Sequence, residues 1–139
     1  MNRKDFLSAV IPLAAVSSAV AGRKKVNEED SLKIPAYLKK SSIIGITCPS
    51  GYITTEEIQP AVSKLEEWGF QVRAGKTVGE RDFSFGGTDD QRAEDLQQML
   101  DDRDIDAILF GRGGYGAVRM IDKVDFSTFK KHPKWLIGF

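Results

Sequence analysis

The stretch DAILFGRGGYGAVRMID, from Asp106 to Asp122, contains a short apolar run that is followed directly by a glycine-rich turn. The residues at 106–110 are typical of a buried strand, and the glycines mark its abrupt end. Apolar residues then recur at helical spacing at Val118, Ile121 and Val124, which predicts a helix. A strand that turns at once into a helix favours a parallel sheet, because parallel neighbours need a crossover connection between them.

The same alternation of strand and helix runs through the rest of the chain from residue 43. One predicted helix ends near Gly69; Thr54 and Thr55 are its candidate caps, and Pro60 leaves its exact start open. A second helix is predicted to begin with a capping box that opens at Thr88. Strands are predicted at residues 43–47, 70–73, 106–110 and 135–139. We therefore expect an α/β fold with a mostly parallel sheet and helices on both faces.

The composition is that of an ordinary globular domain without excess charge. The 139 residues are 41% hydrophobic and 29% charged, with 20 basic and 20 acidic side chains. The zero net charge argues against nucleic acid as a partner. Because Cys48 is the one cysteine, an intrachain disulfide and a zinc site of paired cysteines are excluded, and we expect it to be a buried small hydrophobe. The one histidine, His132, is expected in a solvated loop. We expect neither a metal nor a cofactor.

The first residues have the layout of a secretory signal peptide. Arg3 and Lys4 precede an apolar run over residues 6–20, which ends in small residues before Gly22. The start is similar to a twin-arginine signal with lysine in place of the second arginine. The alternative is a retained membrane anchor, although the run is shorter than the roughly 20 residues of a span. We expect a signal segment at 1–21 with export to the periplasm or cell envelope, a lead-in at 22–42 and one α/β domain at 43–139.

In a parallel sheet of this kind, ligands bind beyond the carboxyl ends of the strands. Three features are predicted to lie there: the turn Pro49-Ser50-Gly51, the glycine-rich loop at 111–116, and the chain around Phe139. The long loop at 75–87 holds Phe83 and Phe85, and it is either functional or a poorly ordered excursion.

The glycine-rich loop allows three interpretations. Gly111, Gly113 and Gly116 satisfy G-x-G-x-x-G, but the loop follows the third strand and no acidic residue ends the next one, as a dinucleotide site would require. Glycines also let backbone N–H groups face a site, where two of them can hold an oxyanion. The third interpretation is a tight turn that needs glycine only for its backbone angles.

Several ordered motifs together resemble a known family. The stretch at 106–122 is similar to the signature of the LD-carboxypeptidases, serine peptidases that also include the microcin-C self-immunity peptidases. The resemblance extends over about residues 34–139. Its further motifs are the turn at 49–51, the helix end LEEWGF at 65–70, GGTDDQRAEDL at 86–96 and PKWLIGF at 133–139.

This resemblance implies an N-terminal α/β domain like that of the class I glutamine amidotransferases, with a flavodoxin-like sheet, joined to a C-terminal domain. It implies hydrolysis of an amide between an L- and a D-configured residue in bacterial wall peptides by a Ser-His-Glu triad. The family's serine is expected just after Phe139, and its glutamate and histidine in the second domain. No triad residue is therefore expected within the chain, which we expect to be inactive by itself.

The resemblance also assigns roles to residues of the two loops. Gly113 or Gly114 is expected to supply one oxyanion donor, and Pro49, Ser50, Arg112 and Tyr115 to contact substrate. A guanidinium fork matches a substrate carboxylate, although Arg112 could equally brace the loop and Tyr115 could be a packed ring. Expected partners are an L,D-linked peptide, the missing C-terminal domain and, through exposed apolar surface, a second copy in a homodimer. The alternative function is a non-catalytic module that binds a nucleotide or peptide with the glycine-rich loop.

Overall fold

The computed structural model describes residues 33–138 and contains a four-stranded sheet. The predicted signal segment at 1–21, residues 22–32 of the predicted lead-in, and Phe139 lie outside the described residues. The elements in chain order are β1 (Ile43–Thr47), α1 (Thr55–Glu67), β2 (Gln71–Ala74), α2 (Asp89–Asp101), β3 (Ile105–Phe110), two 3₁₀ segments (Tyr115–Arg119 and Ile121–Lys123), α3 (Ser127–Lys131) and β4 (Trp135–Ile137).

The sheet has the strand order β2-β1-β3-β4, and every pair of neighbours is parallel. Because β1 has β2 on one side and β3 on the other, the direction of the crossovers reverses at β1. The predicted α/β fold with a mostly parallel sheet is confirmed. No helix between residues 33 and 138 has both the length and the apolar character needed to span a membrane.

Two apolar clusters cover opposite faces of the sheet, because successive side chains of a strand point to opposite sides. On one face, Ile46 of β1 and Ile58 of α1 belong to one buried cluster. On the other face, Leu96 and Leu100 of α2 pack with Ile108 of β3. Helices therefore cover both faces, as predicted.

The two longer helices begin at capping boxes. The Thr54 hydroxyl accepts from the Glu57 amide while the Glu57 carboxylate accepts from the Thr54 amide. Thr88 and Gln91 make the same exchange at the start of α2, which confirms the predicted box. Pro60 lies inside α1, which continues through it to Glu67.

The region after the glycine-rich loop differs from the prediction. The apolar spacing predicted a helix through Val118, Ile121 and Val124, whereas the structure has two 3₁₀ segments. A spacing of three residues also matches the 3₁₀ repeat, and Val118 is 66% exposed, so no continuous buried stripe supports an α-helix here. The short helix α3 was not predicted. Two aromatic rings, Phe126 and Phe129, anchor it. They pack edge to face against each other, and both contact the buried cluster that contains Leu96 and Leu100.

Candidate functional site

The turn after β1 and the glycine-rich loop after β3 lie side by side at the carboxyl ends of their strands. The Gly111 amide donates to the Thr47 carbonyl over 2.8 Å, which ties the start of the loop to the end of β1. These strands flank the point where the crossovers reverse, the position at which open parallel sheets bind ligands. The sheet therefore brings together the two segments that the sequence singled out.

Ser50 holds the glycine-rich loop rather than facing solvent. Its side chain is buried, and its hydroxyl donates to the Gly114 carbonyl and accepts from the Ala117 amide, each over 2.9 Å. Pro49 is also buried, and its carbonyl accepts from Arg92. Pro49 and Ser50, two of the four residues expected to contact substrate, therefore lie beneath the loop.

The amides of Gly113 and Gly114 lie in an unbonded stretch of the loop. Within residues 33–138, neither N–H has a hydrogen-bond acceptor, and the same holds for the amides of Arg112 and Tyr115 beside them. Gly114 has φ 128°, a backbone conformation that side-chain-bearing residues rarely adopt. Its carbonyl turns inward to Ser50. The Gly116 carbonyl likewise accepts from Arg92, so two carbonyls of the loop are bonded to buried side chains while the amides of Gly113 and Gly114 are not bonded.

Arg112 and Tyr115 lie at the surface of the same loop. Arg112 Nη2 lies 3.5 Å from Glu57 Oε1, and both side chains are about half exposed, so this ion pair is weak. Tyr115 is 71% exposed and is not a packed ring. The groove between the loops has a volume of about 400 Å³ and is lined by Gly51, Ser84, Phe85, Arg112, Gly113, Gly114, Tyr115 and Gly116.

The loop at 75–87 is ordered by contacts that reach this groove. Phe85 forms antiparallel bridges with Gly51 and Asp82. A Cβ added at Gly116 would lie 2.7 Å from the Phe85 ring and 2.9 Å from Ser50 Cα. Gly116 is therefore required by the close approach of three segments.

Arg92 was missed by the sequence analysis. It lies one residue after the capping box of α2, is 0% exposed, and donates to the carbonyls of Pro49, Gly87 and Gly116. The sequence does contain a signal for its burial. Arg92 lies four residues before Leu96, so helical spacing places this charged side chain on the same buried face of α2.

Besides the hydrogen bonds of Arg92, a buried polar network around Asp95 supports the end of β1. The Asp95 carboxylate accepts from the Thr47 hydroxyl over 2.7 Å, from the Thr77 hydroxyl and from the Lys76 amide. Thr77 in turn accepts from the Cys48 amide. Asp95 is not part of the groove lining, so this network is a structural tie between β1, the loop after β2 and α2.

Cys48 is fully buried, as the sequence analysis expected. Burial raises the pKa of its thiol to about 11, against a weaker lowering by the Thr77 hydrogen bond and with a further raising by Asp95. A thiol of that kind is protonated at neutral pH and has little nucleophilic character.

His132 is exposed at the end of α3 and lines a different cavity of about 440 Å³. That cavity includes Ile105 and Lys134, at the amino ends of β3 and β4, so it lies at the opposite end of the sheet from the glycine-rich loop. In the described part of the chain, no three His, Cys, Asp or Glu side chains are grouped closely enough to hold a metal ion. The groove therefore offers hydrogen-bond donors and a cation, but it contains neither a histidine nor a metal cluster.

Known proteins share both the sequence pattern and the fold. Residues 44–139 match the family model described as LD-carboxypeptidase N-terminal domain. A probable murein peptide carboxypeptidase from Bacillus subtilis is 34% identical over 105 residues, which cover 76% of this chain and 33% of that protein. A murein tetrapeptide carboxypeptidase from Pseudomonas aeruginosa is 32% identical over 97 residues, covering 69% of this chain and 32% of that protein.

Among solved structures, the microcin C7 self-immunity protein MccF in complex with aspartyl sulfamoyl adenosine is similar, with a TM-score of 0.73 and 26% identity. That match covers 78% of this chain and 33% of the other. The chain spans about a third of the length of the curated relatives it matches.

Proposed function

This chain belongs to the LD-carboxypeptidase family, a family of peptidases, and from that membership we propose that it is the N-terminal part of a serine carboxypeptidase. The proposed reaction is hydrolysis of an L,D-amide bond in bacterial wall peptides. Two relatives, a probable murein peptide carboxypeptidase and a murein tetrapeptide carboxypeptidase, support this class of substrate.

The observation that carries the proposal is the pair of unpartnered amides at Gly113 and Gly114. Amide hydrolysis passes through a tetrahedral intermediate whose oxygen carries a negative charge, and backbone N–H groups that already face this oxygen stabilise it without reorganisation. The carbonyls of Gly114 and Gly116 are held inward by Ser50 and Arg92, which leaves the amides of Gly113 and Gly114 available for such an oxygen. One of them is proposed to act with the amide that follows the nucleophile.

Arg112 is proposed to bind a carboxylate of the peptide. Its guanidinium is half exposed and its contact with Glu57 is long, so a substrate carboxylate can replace that partner at little cost. The exposed ring of Tyr115 stands beside it on the groove and is proposed to contact the peptide chain.

The nucleophilic serine is proposed to follow Phe139, with the glutamate and histidine of the triad in a further domain. A serine needs a base to take its proton and a third group to orient that base, and the groove lining within residues 33–138 contains neither a histidine nor a carboxylate. Export by the segment at 1–21 is part of the same proposal and would place the enzyme near wall peptides.

The test compares this chain with one extended through the natural downstream sequence, using a tetrapeptide that ends in L-Lys-D-Ala or diaminopimelate-D-Ala. We expect D-Ala release from the extended chain alone, and none from the matched peptide ending in L-Ala. Replacing the serine after Phe139 by alanine should abolish release. Gly114→Ala should lower kcat by roughly 10² to 10³, because a side chain is strained at φ 128° and the donor moves. No release by either chain would favour the non-catalytic binding module.

A further inference from the structure

We propose that Arg92 and Ser50 act together as positioning residues that hold the Gly113–Gly116 loop in its amide-presenting conformation. The inference rests on the proposed function for its catalytic consequence. Neither side chain lines the groove, so neither is assigned to contact substrate. They act through the backbone of the loop that does.

The Arg92 guanidinium has four partners in three separate segments of the chain. Nε donates to the Gly87 carbonyl over 3.1 Å, and Nη1 donates to the carbonyls of Pro49 over 2.6 Å and Gly116 over 2.7 Å. Nη2 pairs with Asp89 at the start of α2. A guanidinium has five donors in a rigid plane, which allows one side chain to fix all four partners at once.

Ser50 completes this arrangement from the other side of the loop. Its hydroxyl donates to the Gly114 carbonyl and accepts from the Ala117 amide. The peptide unit between Gly116 and Ala117 is therefore held at both ends, its carbonyl by Arg92 and its amide by Ser50. A peptide unit bonded at both ends resists rotation, and together with the Ser50 bond to the Gly114 carbonyl it restrains the backbone that carries the Gly113 and Gly114 amides.

The charge on Arg92 is only partly balanced. Its partner Asp89 also pairs with Arg119, over 3.2 Å, so two guanidinium groups share one carboxylate. The two groups flank Phe85, at 4.9 and 5.0 Å from its ring centroid. Burial lowers the pKa of Arg92 and the Asp89 carboxylate opposes this effect, but an arginine remains charged at any working pH.

The helix that carries Arg92 does not depend on it. The capping box satisfies the amides of Thr88 and Gln91 at the start of α2, and Leu96 and Leu100 pack the helix on the sheet. The hydrogen bonds of Arg92 go instead to the turn after β1 and to the two loops around the groove. Loss of these bonds is therefore expected to release the loop before it unfolds the helix.

The experiment uses two graded variants and two matched controls. Arg92→Lys keeps the charge but has one ammonium group, which cannot reach all four partners, and Ser50→Ala removes only the hydroxyl. Arg103→Lys and Ser63→Ala are the controls, since both residues are exposed and lie outside the groove lining. In the extended enzyme we expect each test variant to lower kcat about 10- to 100-fold with KM changed less than about twofold. A phosphonate peptide that mimics the oxyanion should lose affinity by the same factor, while the controls match the wild type.

A second measurement separates this inference from the proposed reaction. In the 139-residue chain, amide ¹⁵N relaxation is expected to show order parameters near 0.85 at Gly113–Gly116, falling below about 0.6 in Arg92→Lys and Ser50→Ala while α2 stays ordered. Rigid loops in both variants, or an unchanged kcat, would overturn the inference. If the extended wild type released no D-Ala, the reaction would fail as a proposal. The relaxation data would still decide whether these residues position the loop.

Discussion

At the scale of one residue, Cys48 shows how burial removes reactivity from a side chain that ends a strand beside a ligand groove. Its thiol has no exposed surface and lies near Asp95, whose negative charge adds to the effect of burial. Both influences favour the neutral thiol, and together they raise its pKa from 9.0 to about 11.

This shift makes the stability of the protein depend on alkaline pH. The folded thiol holds its proton more tightly than the unfolded one, so the contribution of Cys48 is fully present below pH 9 and is lost as the pH rises through about 11. We expect a loss of about 2 kcal/mol in the free energy of unfolding over this range, measured by urea denaturation. Cys48→Ala lacks the titrating group and is the control. Parallel pH profiles for the two proteins would contradict the prediction.

At the scale of elements, Lys134 joins the start of β4 to the end of α2. The last turn of α2 has no basic residue of its own. Lys134 is buried, and its ammonium donates to the carbonyls of Met99 and Asp102. Burial lowers its pKa, and the carboxylates of Asp102, Asp101 and Asp106 oppose this effect. A cation from the residue that precedes β4 thus satisfies the negative end of α2.

Replacing this lysine tests the link between the two elements. Lys134→Met keeps most of the buried stem but leaves two carbonyls without their donor, and we expect the free energy of unfolding to fall by roughly 2–3 kcal/mol. Lys131→Met, at an exposed position of α3, should change it by less than about 0.5 kcal/mol. Guanidinium denaturation of both variants gives the comparison. Equal midpoints for the two would show that Lys134 is not the cap we infer.

Elements with local signals could be predicted from the sequence. β1 occupies the predicted residues 43–47, because its apolar run is bounded by turn-forming residues. β2 lies one residue later than predicted, and β4 ends at Ile137 within the predicted range. The capping boxes depend on residues three positions apart, so they too could be read from the chain. The 3₁₀ segments could not, because the position of Gly116 is set by Phe85, Ser50 and Arg92.

Some features of the candidate site could likewise be predicted from the sequence, and others could not. The meeting of the turn at 49–51 and the glycine-rich loop follows from the rule for parallel sheets. The partners of Arg92 could not be predicted, since Pro49 and Gly116 lie 43 and 24 residues away from it in the chain. The burial of Ser50 has the same cause, with bonds to residues 64 and 67 positions away.

At the scale of the whole molecule, the described residues leave apolar surface along one edge of the sheet. β4 has no strand on its outer side within residues 33–138, and Leu136 and Ile137 are 40% and 43% exposed. An exposed apolar edge strand is a ready template for pairing with another chain.

We therefore expect the 139-residue chain to associate with itself. Light scattering should give an average mass that rises above that of one chain as the concentration increases. Ile137→Lys places a charge on the edge and should shift this rise to higher concentration. The matched control is Phe83→Lys, which changes an exposed apolar residue in the loop at 75–87 that follows β2. A clean monomer at high concentration for the wild type would contradict the expectation.

The strand order also affects the folding rate of the chain. β1 pairs with β2 through Ile43 opposite Gln71 and with β3 through Ile44 opposite Ala107, so no pair of neighbours can grow outward from a tight hairpin. Each pairing must wait until a long crossover has closed, and parallel sheets are therefore slower to fold than helical bundles, whose contacts are local. The groove forms between the ends of β1 and β3, and it is therefore assembled late, after the most distant of these pairings is made.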